Sequence, residues 1–406
     1  MIILRGATLI DGTGNDPVPA TTITIDGDRI AGIGRTSTGD DDVIDLDGCA
    51  VLPGLIDAHT HLGLINPFDS RVPPAVDAAY IFRNCEQALD GGFTTVRDLG
   101  GIDGGVAQAV ELGIVRGPRI FPAGPVICQT GGHSDLGIPW APHHHTGGVP
   151  GLSQVSLVGD GPEEVRRNAR IAFHRGATQL KVCVSGGVLS FSDRLEDTQF
   201  TVEELKAAVA EAKARGTYVA AHAHGVDGIR NALEAGVESI EHGTFLDAET
   251  AALMAEKGAA FVPTFAVVRV LSEEWKDRGI PEQMIPRLNG VEETMAAATK
   301  LAADAGALVG SGSDVFGKDQ TQRGLEITVK AGILGPLEAI KSATLNNAKI
   351  LRIADRLGSV EVGKVADLVA VLGDPLADAD VFRDPTRVVL VVKDGLIVKN
   401  SLEGAR

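Results

Sequence analysis

The most constraining feature of this 406-residue chain is a regular alternation of apolar, strand-like segments with helical patterns through its middle. Eight segments are predicted as strands, and helical patterns such as those at 74–90, 201–215 and 247–257 lie between them. The first predicted strand lies within the segment 52–61 and ends near His59. The others lie at 94–98, 119–123, 179–184, 218–222, 239–242, 260–264 and 307–311. Eight such units over about 300 residues favour a (β/α)8 TIM barrel. A doubly wound open sheet is the alternative, but no G-x-G-x-x-G follows the first strand, which weakens a dinucleotide-binding version.

Both ends of the chain differ from this middle, because short strands and Asp-Gly turns replace the alternation. Segments 22–25 and 29–33 are examples near the start, and segments 366–372 and 387–392 are examples near the end. The pattern predicts a small β-sandwich domain built from both termini, residues 1–52 and 357–406. The predicted barrel then occupies residues 53–356.

Composition narrows the class of protein. A hydrophobic content of 44% and a formal charge of −17 are typical of a soluble globular protein and disfavour nucleic acid or an anionic membrane as partner. No apolar run approaches the roughly 18 residues that span a bilayer, and the start is too quickly polar for a signal peptide. The four cysteines are far apart and form no C-x-x-C pair. We therefore expect a cytoplasmic protein. We also predict that it is a homo-oligomer with a small-molecule substrate.

A His-x-His pair, His59 and His61, follows the first predicted strand. Residues i and i+2 of a strand point to the same side, so the two imidazoles can bind one divalent metal ion, and imidazole is a common zinc ligand. An isolated pair would more often be two ordinary histidines. Here His222, His242 and Asp314 also follow predicted strands, at the end of the barrel where such enzymes keep their chemistry.

Lys181 is unusual because it lies inside an apolar strand, and lysine is seldom buried without a partner. If burial and a nearby metal lower its pKa, the neutral amine can react with carbon dioxide. The resulting carbamate is negatively charged and can bridge two metals. The alternative is a structural ion pair between Lys181 and a carboxylate.

This ordered set resembles the amidohydrolase superfamily in its two-metal branch, over essentially the whole chain. The matched positions are His59, His61, Lys181, His222, His242 and Asp314, with the segment 363–369 near the C-terminus. The resemblance implies two zinc ions. It places His59 and His61 on one ion, His222 and His242 on the other, and a carboxylated Lys181 as the bridge. Asp314 would bind the first metal and act as general base.

Two segments, 180–188 and 221–225, are similar to the zinc dipeptidase and carboxypeptidase group, which includes Xaa-Pro and Xaa-Arg dipeptidase-like enzymes and mycotoxin amidases. The loop at 131–135 also matches this group, and the resemblance implies that His133 and His224 face the substrate. Arg323 and Arg269 are further candidates for binding a carboxylate. We expect His143-His144-His145 to belong to a mobile lid rather than to a metal site.

The predicted function is zinc-dependent hydrolysis of the amide bond of a dipeptide or an N-acyl amino acid with a free C-terminal carboxylate. The metals would lower the pKa of a bridging water and polarise the scissile carbonyl, and Asp314 would pass the water's proton to the leaving nitrogen. A cyclic-amide hydrolase or deaminase, imidazolonepropionase-like, is one alternative, although Lys181 argues against one-metal deaminases. A non-catalytic barrel scaffold is another, although such proteins usually lose metal ligands.

Overall fold

The computed structural model describes residues 1–34, 42–65, 72–136, 148–190 and 192–402, so the predicted His143-His144-His145 lid lies outside the described residues. The strands are β1 (Ile2–Leu9), β2 (Val18–Asp26), β3 (Arg29–Ile33), β4 (Asp42–Asp45), β5 (Cys49–Pro53), β6 (Leu55–Thr60), β7 (Phe93–Asp98), β8 (Arg119–Pro122), β9 (Val126–Cys128), β10 (Ser156–Val158), β11 (Leu180–Cys183), β12 (Val219–Ala223), β13 (Ser239–His242), β14 (Ala260–Val262), β15 (Leu308–Val309), β16 (Leu368–Leu372), β17 (Val388–Lys393) and β18 (Leu396–Asn400). The α-helices are α1 (Pro74–Asp90), α2 (Gly104–Glu111), α3 (Gly161–His174), α4 (Val202–Ala214), α5 (Val226–Ala235), α6 (Ala248–Lys257), α7 (Phe265–Glu274), α8 (Val291–Asp304), α9 (Leu325–Leu334), α10 (Pro336–Lys341) and α11 (Asn347–Ile350). No helix in these described segments is both long and apolar enough to cross a membrane.

Parallel strands form the central layer of the molecule, in two hydrogen-bonded sheets. One sheet has the order β6-β7-β8, and the other runs β10-β9-β11-β12-β13-β14-β15. The Thr178 N–H donates to the Pro122 carbonyl over 2.8 Å, which joins the first sheet to the entrance of β11. The Ala58 N–H donates to the Ser311 carbonyl over 2.9 Å, which returns the strand order from β15 to β6. These links give the barrel-like α/β fold that the alternation predicted.

Eight strands (β6, β7, β8 and β11 to β15) follow one another around this barrel, and the third of them is interrupted. The predicted strand at 119–123 ends at Pro122, and pairing with β11 resumes only in β9. Proline has no N–H to donate, and Gly124 takes a left-handed backbone with φ of 67°. The loop that follows β9 therefore leaves the barrel at the third strand position.

The two ends of the chain form one eight-stranded sheet, with the order β18-β17-β16-β5-β1-β2-β3 and with β4 paired to β1. Antiparallel pairing of β16 with β5, from Leu368 opposite Pro53 to Leu372 opposite Cys49, joins the C-terminal strands to the N-terminal ones. The composite terminal sheet is thus observed, while its sandwich form and the exact domain bounds stay predictions. Only Gly54 separates β5 from β6, and a Cβ there would lie 2.2 Å from Thr94 Oγ1.

A buried ion pair on α9 joins two strand ends of the barrel. Glu326 and Lys330 are at most 1% exposed, and Lys330 Nζ lies 3.3 Å from Glu326 Oε1. Lys330 also donates to the Gly310 carbonyl over 2.7 Å, just after β15, and Glu326 accepts the Ala266 N–H over 2.9 Å, at the start of α7. Burial raises the pKa of Glu326 to about 7, against the opposing effect of Lys330.

We predict that Lys330→Met lowers the free energy of unfolding in a urea titration by about 3–5 kcal/mol, because it leaves a buried carboxylate without its partner. The control is Lys341→Met, which removes a lysine from the partly exposed Lys341–Glu338 pair on α10 and should cost less than about 1 kcal/mol. Equal effects of the two changes would contradict a structural role for the buried pair.

Candidate metal centre and active site

Two groups of potential metal ligands lie at the carboxyl ends of the barrel strands. His59 in β6, His61 directly after it and Asp314 beyond β15 form the first cluster. His222 in β12, His224 just after it and His242 at the end of β13 form the second. Within each cluster, one potential ligand atom per residue lies within 4.8 Å of the others.

The two clusters adjoin each other at Asp314 and His59. Asp314 Oδ1 lies 3.1 Å from His61 Nε2 and 3.5 Å from His59 Nε2. The other oxygen of Asp314 lies 3.9 Å from His242 Nδ1, and the rings of His59 and His242 have centroids 4.9 Å apart. Lys181 Nζ, from β11, lies 3.4 Å from His59 Nε2. The structure therefore brings all six predicted metal ligands into one site.

Hydrogen bonds outside the site fix the orientation of four of these imidazoles. Each ring uses one nitrogen for a bond to the surrounding protein, so its other nitrogen is available to a metal. The pairs are His59 Nδ1 with Glu241 Oε2 at 2.9 Å, His61 Nδ1 with the Gly100 carbonyl at 2.8 Å, His222 Nε2 with the Gly186 carbonyl at 3.0 Å, and His242 Nδ1 with Thr264 Oγ1 at 2.7 Å. Burial lowers the pKa of His59, His222 and His242, which favours the neutral form that binds metals.

Lys181 is buried, and its ammonium form is disfavoured there. Burial lowers the pKa of Lys181, while the carboxylates of Glu241 and Asp314 act in the opposite direction. Within the described parts of the chain, no carboxylate oxygen forms an ion pair with Lys181 Nζ, so the structural ion pair considered from the sequence is not observed. The geometry leaves the amine facing His59 in the middle of the site.

Backbone conformation at two site residues is strained. His242 and Asp314 have φ values of 68° and 54°, a left-handed region that non-glycine residues seldom occupy and that is found preferentially at functional sites. The Asp314 N–H donates to the His59 carbonyl over 2.7 Å, which supports this conformation. Burial opposes ionisation of Asp314, but nearby His59 and the hydrogen bond from His61 outweigh it, so the pKa of Asp314 is lowered. This shift favours the carboxylate form of Asp314, which is the form that a general base requires.

A buried arginine and glutamate lie beneath the first cluster, and sequence reasoning missed both. Arg97 of β7 and Glu241 of β13 are fully buried, and Arg97 Nη2 lies 2.8 Å from Glu241 Oε1. Glu241 also accepts a hydrogen bond from Ser239 Oγ over 2.6 Å and binds His59 through its other oxygen. The sequence did contain a signal for both residues, since each is a charged residue inside a predicted apolar strand. That signal was noted at Lys181 but not at these two positions.

The two predicted substrate-facing histidines line the cavity above the clusters. The ring of His133 stacks on that of His222, with centroids 4.1 Å apart, and its buried Nδ1 has no hydrogen-bond partner in the described structure. His224 stacks on His242 at 5.0 Å and shares a 2.7 Å hydrogen bond with Thr244 Oγ1. Burial lowers the pKa of His224 to about 3. The position of His224 within the second cluster makes it a possible ligand as well as a substrate contact.

The suggestion that Arg323 or Arg269 binds a substrate carboxylate is wrong. Arg323 is 2% exposed and donates to Asp57 over 2.8 Å beneath β6, with further bonds to Thr60 and Gln320. Arg269 forms an ion pair of 2.7 Å with Glu292, between α7 and α8. Neither guanidinium lines the cavity, since each is held by a carboxylate of the protein itself.

The cavity over the clusters has a volume of about 990 Å³ including its open mouth. The polar floor is formed by the histidines, Lys181 and Asp314, and most of the wall is apolar. Of the described residues that line it, Lys181 is the only lysine or arginine. A parallel α/β barrel with two adjoining ligand clusters at its strand ends defines a candidate metal-dependent hydrolase.

The chain belongs to the amidohydrolase family, whose model matches residues 50–398. It is 35% identical to the ochratoxinase of Aspergillus niger over 363 residues, which are 86% of this chain and 75% of that protein. The structure resembles a prolidase complexed with N-methylphosphonate-L-proline, with a TM-score of 0.92 and 36% identity over 98% of this chain and 99% of the other. It also resembles a Xaa-Pro dipeptidase with bound methionine, with a TM-score of 0.87 and 36% identity over 98% and 100% of the two chains. The resemblance to the dipeptidase group is confirmed.

We predict that Glu241→Gln weakens zinc binding about 10–100-fold, because it removes the carboxylate that orients His59 and favours its metal-binding tautomer. The measurement is a competition titration of zinc against a chelator of known affinity. The control is Glu238→Gln, which alters an exposed carboxylate paired with Arg352 one residue before β13. Unchanged zinc affinity in Glu241→Gln would show that His59 needs no such support.

Proposed function

We propose that this chain hydrolyses the amide bond of dipeptides or N-acyl amino acids with a free C-terminal carboxylate, using two divalent metal ions. The observation that carries the proposal is the convergence of two ligand clusters on Asp314 and Lys181 within one cavity. The similarity to an ochratoxinase, a prolidase and a Xaa-Pro dipeptidase supports hydrolysis of a carbon–nitrogen bond. Homo-oligomeric assembly and a cytoplasmic location stay predictions.

The donor set fits two zinc ions. His59, His61 and Asp314 would hold one ion, and His222 and His242 would hold the other. Buried imidazoles with fixed outer nitrogens, together with a carboxylate, are suitable zinc donors. The lowered pKa of Lys181 favours the neutral amine, which can take up carbon dioxide to become a bridging carbamate. When bound, the ions would activate water and polarise the substrate carbonyl.

Asp314 would move the proton in this reaction. Its side chain lies between the two clusters, and its lowered pKa favours the carboxylate form, which can accept a proton from the attacking water and deliver it to the leaving nitrogen. The hydrogen bond from its own N–H to the His59 carbonyl keeps the side chain aimed at the centre. His59 and His61 hold the same carboxylate on its other side, which limits its rotation.

His133 and His224 would recognise the substrate carboxylate. Lys181 faces the clusters, and the described wall offers no arginine, so a carboxylate that enters the cavity meets imidazoles first. His133 has a buried ring nitrogen that is not satisfied by the protein, and a hydrogen bond to a ligand would satisfy it. This arrangement favours substrates with a free acid group over cyclic amides.

We predict that Asp314→Asn lowers kcat by about 100-fold or more, because a neutral amide cannot accept the proton of the water. Zinc content by elemental analysis and the circular dichroism spectrum should be measured on the same preparation. The control is Asp247→Asn at the N-terminus of α6, where asparagine also caps a helix well. Turnover near the wild-type rate in the zinc-loaded Asp314→Asn protein would assign the proton transfer to another residue.

We predict that a substrate with a free carboxylate exceeds its amidated counterpart by at least about tenfold in kcat/KM, the worth of one charge-assisted hydrogen bond. His224→Ala should reduce this acid-to-amide ratio by a larger factor than it reduces kcat/KM for the best neutral substrate. The control is His174→Ala, which removes an exposed histidine on α3 and should leave the ratio unchanged. Equal rates on acid and amide forms, or activity on ring compounds alone, would instead support a cyclic-amide hydrolase or deaminase.

A further inference from the structure

One long excursion of the chain provides much of the apolar cavity wall. It connects β14 to β15 and contains α7, a 3-10 helix at Glu282–Leu288 and α8. We call residues 265–295, which end within α8, the lid. Six of its side chains line the cavity, and each is at most 7% exposed. They are Val267, Val268, Leu271, Leu288, Val291 and Met295.

Two arginines fasten the lid to neighbouring loops. Arg287 Nη1 donates to the carbonyls of Gly187 and Ser190, over 3.0 and 2.9 Å, in the loop after β11. Arg278 donates to the Phe316 carbonyl, in the loop after β15. Val188 and Phe316, from these two loops, share one hydrophobic cluster with the lid and also line the cavity. The wall is thus a continuous apolar surface that the two arginines hold against the rest of the barrel.

The position of the lid indicates which half of a substrate it would contact. In the order of the eight barrel strands, β14 is four places from β8, so α7 leaves the barrel opposite the strand that leads to the His133 loop. The other end of the lid reaches the loop after β11, where Arg287 donates to the carbonyl of Gly187, beside the His133 ring. If the carboxylate of the amine half lies against His133 and His224, the acyl half extends toward the lid. Only an apolar group gains free energy by leaving water for such a wall, since no charged lid side chain lines it.

We propose, building on the proposed function, that the lid determines specificity for the acyl half and that the preferred substrates are N-acyl amino acids with a bulky apolar acyl group. Arg287 is a positioning residue in this scheme: it holds Leu288 and Val291 in the wall without touching the substrate. The apolar wall acts on the affinity for the substrate, while proton transfer stays with Asp314.

The test compares N-acetyl-, N-butanoyl-, N-hexanoyl- and N-octanoyl-phenylalanine with the zinc-loaded wild-type enzyme. Each buried methylene is worth about 0.8 kcal/mol, so kcat/KM should rise about fourfold per methylene until the acyl chain fills the cavity. Exchange of phenylalanine for alanine in the N-acetyl substrate should change kcat/KM less than exchange of acetyl for octanoyl. Dependence on the amine half alone, or no dependence on acyl length, would overturn the proposal.

Two variants test the lid itself. The nearly isosteric double change Val268→Thr and Val291→Thr should lower the gain per methylene to less than about twofold, because hydroxyls make the wall polar. Val362→Thr, an exposed position, is its control.

Arg287→Met should raise KM for the octanoyl substrate at least about fivefold with kcat little changed. Its control, Arg194→Met, removes an exposed arginine paired with Asp197 and should not raise KM. Parallel losses of kcat on every substrate would show a general structural defect instead.

Calorimetry with the product acids separates this proposal from the proposed function. Octanoate should bind the zinc-loaded protein more tightly than butanoate, with a negative heat-capacity change that marks apolar burial. Length-dependent binding of these acids without hydrolysis of any N-acyl amino acid or dipeptide would refute the proposed function and retain the apolar acyl site. Hydrolysis of all four substrates at one rate, with binding independent of length, would refute the acyl site alone.

Discussion

The ion pair between Arg97 and Glu241 is the interaction on which the site depends. A barrel interior is normally filled with apolar side chains, so a buried glutamate needs compensation for its lost hydration. Arg97 supplies it and also donates to the Ala58 carbonyl, Tyr218 and Ser239. It thereby links β6, β7 and β13 with the residue that precedes β12. The compensated carboxylate can then orient His59. The charged interior is thus part of the support for the predicted metal ligands rather than an isolated salt bridge.

The elements of the fold and the six predicted ligands followed from local signals, whereas their supports did not. Strand ends at His59, His222 and His242 could be recognised because an apolar run stops at a polar residue. The pairing of Arg97 with Glu241 depends on closure of the barrel, which brings residues 144 positions apart into contact. Arg323 was misassigned for the same reason, because its partner Asp57 is 266 positions away. The break in the third strand was also not predicted, because it depends on the left-handed backbone of Gly124 as well as on Pro122.

Backbone packing also limits which residues can surround the site. A Cβ at Gly312 would lie 2.4 Å from His59 Cβ, and a Cβ at Gly187 would lie 2.3 Å from the His133 ring. The chain therefore passes directly beside one predicted metal ligand and one predicted substrate contact. These approaches, with the left-handed backbone of Asp314 and His242, confine the side chains to few rotamers. The lid is held to the neighbouring loops both by hydrogen bonds from two arginines and by apolar packing against Val188 and Phe316.

The pairing of β5 with β16 has a consequence for how the protein is made. β5 leads through Gly54 into the strand that carries His59, yet its partner is the segment 368–372, near the opposite end of the chain. During synthesis the ribosome releases the entire barrel before β16, β17 and β18 emerge. Until then one edge of β5 is unpaired and its fully buried face lacks a cover, which is a state prone to association with other chains. The strands that leave the ribosome after the barrel are therefore the ones that close the sheet behind the first predicted metal ligand.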